Sequence, residues 1–367
     1  MISEYTKNIV FLHYSLIEET TLPEGVESID WRGLLIWAEQ QAIFGVLFEG
    51  IQKAGKALNI PFGALMEWVG NTNRIEKQNK IVYDRCVKVV KTLENAGFES
   101  CILKGQGNAL MYPNPYSRTP GDIDVWVKPK GDGRSKKDEV RRIIEYVKGI
   151  NPKGSVCYHH IDYGLFNGVE VEVHYRPSFM FNPIHNQRLQ KWFDKMAEGG
   201  WQMAELPDKG GCIPVPSVEF NIVFQLSHIY NHVLHEGIGL RQFVDYYYLL
   251  KSDVRSQMDD VSSTLKYLGL WKFAGAVMYV MSEVFALDEQ YMVAPVDERR
   301  GKVLLQEIMR GGNFGKYDES NIKADNRIKK NIQRIKRDIR MMQYFPSECL
   351  WEPVFRAYNF FWRLVYR

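Results

Sequence analysis

Long apolar runs are missing from this sequence. No stretch approaches the ~20 consecutive apolar residues that a membrane-spanning helix requires, so no such span is expected. Cysteine is sparse. Cys86, Cys101, Cys157, Cys212 and Cys349 are odd in number, scattered and include no CxxC pair. Neither a disulfide framework nor a zinc knuckle is expected, and the thiols read as reduced and mostly buried. A dominant charge is also missing: 47 Lys and Arg against 44 Asp and Glu leave +3, which argues neither for nor against a nucleic-acid partner. Met1 to Leu16 has neither the basic start nor the unbroken apolar core of a signal peptide, and the expected setting is the cytoplasm. The 45% apolar and 25% charged fractions are ordinary for a globular protein, and 367 residues allow two or three domains.

What is present concentrates between Ile102 and Val127. Asp122-Ile123-Asp124-Val125-Trp126-Val127 reads as a strand with two carboxylates on one face and apolar residues on the other. Alternate residues on one strand face stand roughly 7 Å apart. Two carboxylates so placed repel by roughly 2 kcal/mol at an effective dielectric near 20. A cation relieves that cost, and hard divalent ions prefer oxygen ligands. Cys101-Ile102-Leu103 forms a short apolar strand that stops at Lys104-Gly105, a turn able to approach phosphate. Between the two lies Tyr112–Gly121, stiffened by Pro113, Pro115 and Pro120. Its Arg118 either faces a bound anion or pairs with Asp122 or Asp124.

Upstream, residues 1–100 read as a helical packing region without chemistry. Apolar residues from Trp31 to Ile51 recur at helical spacing. Pro61 opens a helix carrying Leu65, Met66 and Val69, and a longer one runs from about Asn71 to Ala96 with Gly97 as its cap. Downstream, a helix spans Ser135 to Lys148 with Val140, Ile143, Ile144 and Val147 inward. Strands Val156–Phe166 and Val169–Tyr175 flank Asn167-Gly168, a two-residue hairpin turn. That turn predicts Tyr163 opposite Glu172 and Ile161 opposite His174. Glu172 either faces water on an edge strand or, with the Asp122 strand as its other neighbour, completes a three-carboxylate cluster.

Lys104-Gly105, the Tyr-Pro loop ending in Arg118, Gly121-Asp122-Ile123-Asp124 and the later Val171-Glu172-Val173-His174-Tyr175 resemble uncharacterised bacterial nucleotidyltransferases of the DNA polymerase β-like superfamily. The resemblance is most specific over residues 100–177. It implies an α+β protein: a small mixed or antiparallel nucleotidyltransferase sheet with helices, flanked by helical regions. The implied division is 1–80, an N-terminal helical region; 81–205, the nucleotidyltransferase core; and 206–367, a C-terminal helical domain. It further implies Mg2+ or Mn2+ held by Asp122, Asp124 and Glu172, a nucleoside triphosphate as donor, and an acceptor hydroxyl of unknown identity. Gly105-Gln106 stands where the superfamily carries Gly-Ser, so Lys104, Gly105 and Arg118 are the candidates for gripping phosphate.

From about Pro216 the chain turns helical. His228 and His232 stand at i, i+4, a zinc-compatible spacing, but the HExxH glutamate is absent and interior histidines are the simpler reading. Arg241 and Asp245 form another i, i+4 pair after Gly237 and Gly239, resembling a His…Arg…Asp segment of the same family; the pair faces the site or locks the domains together. Gly311–Gly315 lacks the Walker pattern. Lys323–Met342 reads as a basic amphipathic helix with Ile328, Ile332, Ile335, Ile339 and Met342 as its apolar stripe. It suits RNA, acidic membrane or an anionic acceptor, or is a solvated face. The aromatic tail Trp351–Arg367 covers a core, meets a partner or lies on a membrane. The function expected is metal-dependent nucleotidyl transfer. The alternatives are a catalytically silent nucleotide-binding scaffold, a toxin-like enzyme modifying RNA or protein, and a hydrolase using His228 and His232.

Overall fold

A computed structural model describes residues 2–131, 135–252, 258–318 and 327–366. Helices α1 (Ile2–Leu16), α2 (Trp31–Gln41), α3 (Phe44–Ala54) and α4 (Phe62–Asn95) come first. The two helices expected after Pro61 are one, α4, of 34 residues. Gly70 is the weakest helix former at their junction, and a lone glycine costs about 1 kcal/mol without ending a helix. Gly97, at φ 82°, provides the left-handed stop. The expected division at 80/81 therefore falls inside a helix.

The sheet follows: β1 (Phe98–Ile102), α5 (Gln106–Ala109), β2 (Ile123–Pro129), α6 (Lys136–Ile150), β3 (His160–Phe166) and β4 (Val169–His174). Strand order is β1-β2-β4-β3, with β2 and β4 parallel and both outer pairs antiparallel. Ser135 caps α6, which buries Val140, Ile143, Ile144 and Val147 as its sequence pattern predicts. Asn167 (φ 50°) and Gly168 (φ 89°) make the turn with both residues left-handed. The hairpin register differs from the simple one. The strands slip by one residue between Asp162 and Gly164, so Asp162, not Tyr163, stands opposite Glu172, and His160, not Ile161, opposite His174. Gly164 sits at φ 92°, the conformation a glycine bulge needs.

The chain continues through α7 (Pro183–Ala197), a small hairpin of β5 (Gln202–Glu205) and β6 (Cys212–Val215) that the sequence pattern did not reveal, then α8 (Val218–His235), α9 (Leu240–Lys251), α10 (Met258–Leu268), α11 (Trp271–Phe285), α12 (Glu298–Gly311), α13 (Arg327–Met342) and α14 (Pro346–Val365). The expected division at 205/206 separates β5 from β6, which pair with each other. The fold is α+β, as expected. Among the described residues no helix is long and apolar enough to cross a membrane.

Two terminal helices sit differently from their sequence patterns. In α13, Ile335 and Ile339 are exposed, while Arg337 and Met341 are buried. Arg337 donates to the Glu236 carbonyl at 3.2 Å, which turns a presumed solvent-facing cation inward. Lys323 lies outside the described residues, as do the side chains of Ile328 and Ile332. The tail helix α14 covers Tyr158, whose ring meets Phe355, Tyr358 and Trp362 at 5.1–5.9 Å. Its buried Glu348 accepts from the Phe181 and Asn182 backbone amides.

The Pro-rich loop is fixed by a buried side chain on α4. Asn79 donates to the carbonyls of Tyr116 and Arg118, both at 2.8 Å, and accepts from Gln106 at 2.9 Å. An Asn79→Leu substitution leaves three buried polar groups unpaired. The expected loss is at least about 3 kcal/mol of unfolding free energy in urea denaturation, since each such group costs about 1–3 kcal/mol.

Candidate active site

The parallel pairing of β2 and β4 sets Asp124 beside Glu172 and Trp126 beside His174 in register. Side chains alternate along a strand, so these four share one face of the sheet. The slip in β3 adds its own residues to that face. A row of carboxylates then crosses three strands, Asp124, Glu172 and Asp162, and beside it runs a second row, Trp126, His174 and His160. Without the bulge, Tyr163 and Ile161 would occupy the two β3 positions. Asp124, Glu172, His174 and His160 from these rows form the floor of a cavity of about 550 Å3 whose walls include Lys104, Gly105, Asp122, His228, His232 and Arg241.

Asp124 is the most enclosed of the acids. Burial alone would keep its proton on, but the Lys104 ammonium and His174 outweigh burial and hold its carboxyl well below the usual carboxylate range. Lys104 Nζ lies 3.2 Å from Asp124 Oδ2, and His174 Nε2 lies 2.9 Å from Oδ1. Burial works against the Lys104 charge, yet Asp124, Asp122 and Glu172 together raise its pKa. His174 is raised likewise, its desolvation overcome by Asp124 and Glu172. Glu172 Oε2 lies 3.4 Å from both His174 Nε2 and His160 Nδ1. Asp122 precedes β2 instead of standing in it. Its carboxyl is pushed up to about 6, first by the Asp124 charge and then by burial.

These features suit a divalent cation. Asp124 Oδ2 is buried and makes no hydrogen bond, the Lys104 ammonium being its charged neighbour. Asp124, Glu172 and His174 each offer a donor atom within 4.8 Å of the others. Asp122 is not in that group, so of the three carboxylates named from sequence the fold brings Asp124 and Glu172 together with His174, while Asp122, just before β2, lines the same cavity.

The remaining candidates are arranged differently from their sequence reading. Arg118 pairs with neither Asp122 nor Asp124. Its Nε and Nη2 grip Asp245 at 2.8 and 2.9 Å, and Tyr112 donates to the same carboxylate at 2.6 Å. Asp245 is thus held by Arg118 on the loop, not by Arg241 on its own helix. Arg241 donates instead to the Thr119 carbonyl at 3.2 Å, its Nε is buried without a partner, and burial with the nearby Arg118 charge lowers it to about 10. Gly105 adopts φ 59°, ψ −107°, which favours glycine. His228 and His232 approach each other at 3.0 Å, and Lys104 reaches His228 at 3.1 Å. Burial lowers both histidines, His232 to about 3. Among the described residues no metal-type group includes either, so the fold continues the Lys104 contact into α8 and does not assemble a separate zinc site there.

Sequence reasoning did not single out His159, His160 or Asp162 as site residues, nor the α14 side chains Arg356, Asn359 and Arg363, which line the cavity. One signal was available for the first group: Gly164 inside a strand pattern marks a bulge. Replacing Gly164 with alanine is expected to cost about 1–2 kcal/mol through its left-handed φ, read as a lower urea midpoint.

Asp122 gives a pH prediction. Its folded carboxyl keeps a proton up to about pH 6, against an ordinary value of 3.8. Ionised Asp122 therefore destabilises the metal-free folded state above that window, and the effect fades as pH falls through about 4, where the unfolded carboxyl takes up its proton as well. Asp122→Asn is expected to stabilise the metal-free protein at pH 7.5 by no more than about 3 kcal/mol and to have no effect near pH 3.5, measured by urea denaturation at the two pH values.

Residues 27–286 match the family described as "Uncharacterised nucleotidyltransferase". No curated protein matches the chain. Among solved structures, an antigenic nucleotidyltransferase-like protein from Paracoccidioides brasiliensis aligns at 14% identity with a TM-score of 0.34, covering 61% of this chain and 96% of that one. The family match takes in every strand of the main sheet and the carboxylate row it carries, and the chain belongs to this family of uncharacterised nucleotidyltransferases.

Proposed function

We propose that the protein is a nucleotidyltransferase of the DNA polymerase β-like type, moving a nucleotidyl group from a nucleoside triphosphate to a hydroxyl acceptor. The observation that carries the reading is the in-register pair Asp124 and Glu172 on adjacent parallel strands, with Asp122 beside them and pushed up to about 6 by the Asp124 charge. Mg2+ or Mn2+ would be held by Asp124 and Glu172, with Asp122 beside them in the same cavity. When bound, such an ion supplies positive charge to the triphosphate and lowers the pKa of an acceptor hydroxyl.

The protein's own groups have separate tasks in this reading. Lys104 stands where it can follow negative charge from Asp124 to a phosphate oxygen, a move of an ammonium that already has two partners in the cavity. Arg241, with its Nε unpaired, is the second phosphate cation. Gly105 lets the backbone pass close to a phosphate without a side chain. Arg118, spent on Asp245, holds the loop and α9 in place and leaves the phosphate role to the other two. In the transfer, the acceptor oxygen bonds to the α-phosphorus as the bond from phosphorus to the pyrophosphate oxygen breaks. Neutralising the charge that accumulates there is the main demand on such a site.

A second reading, a nucleotide-binding protein that does not catalyse transfer, draws on the Lys104–Asp124 ion pair. A built-in ammonium compensates Asp124 without any metal.

Thermal unfolding with Mg2+ or Mn2+ and each of the four nucleoside triphosphates tests both. At least one triphosphate is expected to raise Tm by roughly 2–5 °C at saturating ligand, and Asp124→Asn to remove the gain. No shift with any of them sinks the proposal. A shift that Asp124→Asn abolishes, without pyrophosphate release in the presence of candidate acceptors, favours the non-catalytic reading.

A further inference from the structure

The donor atoms on the cavity floor follow one another at a regular spacing. Asp124 Oδ1 lies 2.9 Å from His174 Nε2, that nitrogen 3.4 Å from Glu172 Oε2, that oxygen 3.4 Å from His160 Nδ1, and that nitrogen 3.0 Å from His159 Nε2. The two contacts to Glu172 exceed the ~2.7–3.2 Å of a good hydrogen bond. They equal instead the separation of two ligands around one small ion: donors ~2.0–2.1 Å from a tetrahedral centre stand about 3.3–3.4 Å apart. His159, His160 and His174 also form a group whose donors all lie within 4.8 Å of one another, as do His160, Asp162 and Glu172. Three imidazoles in contact, facing a carboxylate, are a poor donor set for Mg2+, which prefers oxygen in near-octahedral geometry, and a good one for zinc-like ions.

We propose that His159, His160 and His174, with Glu172 Oε2 at 3.4 Å from the last two, form a transition-metal position that takes Zn2+ or Co2+ in preference to Mg2+. This deepens the nucleotidyl-transfer reading and rests on it only where function is concerned, because Glu172 belongs to both descriptions. It assigns the ion at Glu172 a mixed nitrogen and oxygen shell. The bulge in β3 is what creates the position, since it is the slip that turns His160 toward Glu172.

The test uses the full chain, stripped with a chelator and titrated with Co2+ in the absence of nucleotide. One Co2+ per chain is expected, with a visible ligand-field band of low-symmetry coordination. Zn2+ displaces it stoichiometrically, and a hundredfold excess of Mg2+ leaves it in place. His160→Gln is expected to weaken Co2+ binding by roughly tenfold or more, a scale at which even groups outside the metal's own shell are felt. His159→Gln, which removes another of the three imidazoles, provides a second variant should His160→Gln fold poorly, and His13→Gln on α1 controls for adventitious histidine binding. Displacement by equimolar Mg2+, or unchanged affinity in both the His159 and His160 variants, overturns the proposal. Tight Co2+ binding lost in His160→Gln, with no Tm shift from any nucleoside triphosphate, upholds the metal position while removing nucleotidyl transfer. A triphosphate shift with Mg2+ alone and no Co2+ preference does the reverse.

Discussion

A carboxylate at the bottom of a protein cavity has to be compensated, and the placement of Asp124 governs what surrounds it. Leaving one buried charge unpaired is strongly destabilising. The compensation arrives from two directions, Lys104 from the end of β1 and His174 from the neighbouring strand β4, and His228 from α8 meets the Lys104 ammonium on its other side. The strand end, the parallel pairing and the packing of α8 are thus tied to a single charge. The second acid, Asp122, stands beside the Asp124 charge and keeps its proton to higher pH. That asymmetry makes the site receptive to an added cation.

The one-residue bulge in β3 extends the same face. A strand of unbroken alternation would have put Tyr163 and Ile161 over the floor, closing it with apolar surface. Slipped by one residue, it presents Asp162 and His160, and an apolar lid becomes a continuation of the polar row. Gly164 makes this possible because a left-handed residue with a side chain would be strained there.

Around this floor the helices act as walls. Arg118 and Asp245, both buried, clamp the Pro-rich loop to α9, and Asn79 pins the same loop to α4. The wall formed by α14 lies beyond the 27–286 region that matches the family, yet it brings Arg356, Asn359 and Arg363 to the cavity.

The α+β class was expected from the family resemblance, while local sequence was enough for individual pieces: the strands around Asp124 and Glu172, the Asn167-Gly168 turn, the amphipathic α6 with its buried valines and isoleucines, and the Asp-x-Asp and Glu-x-His spacings. Each depends on periodicity or on turn chemistry within a few residues. Tertiary structure decided what those pieces face. Parallel pairing of β2 with β4 is a contact across about fifty residues, and no local pattern encodes it. The Arg118–Asp245 clamp overrode the nearer partners of both residues, because a bidentate buried pair satisfies two charges at once, whereas Arg241 on the same helix as Asp245 reaches the Thr119 carbonyl instead. The rotation of α13 followed from a carbonyl on another helix accepting from Arg337. Gathering of His159, His160 and His174 waited on a slip of one residue, where a single left-handed glycine outweighed the regular alternation of the strand.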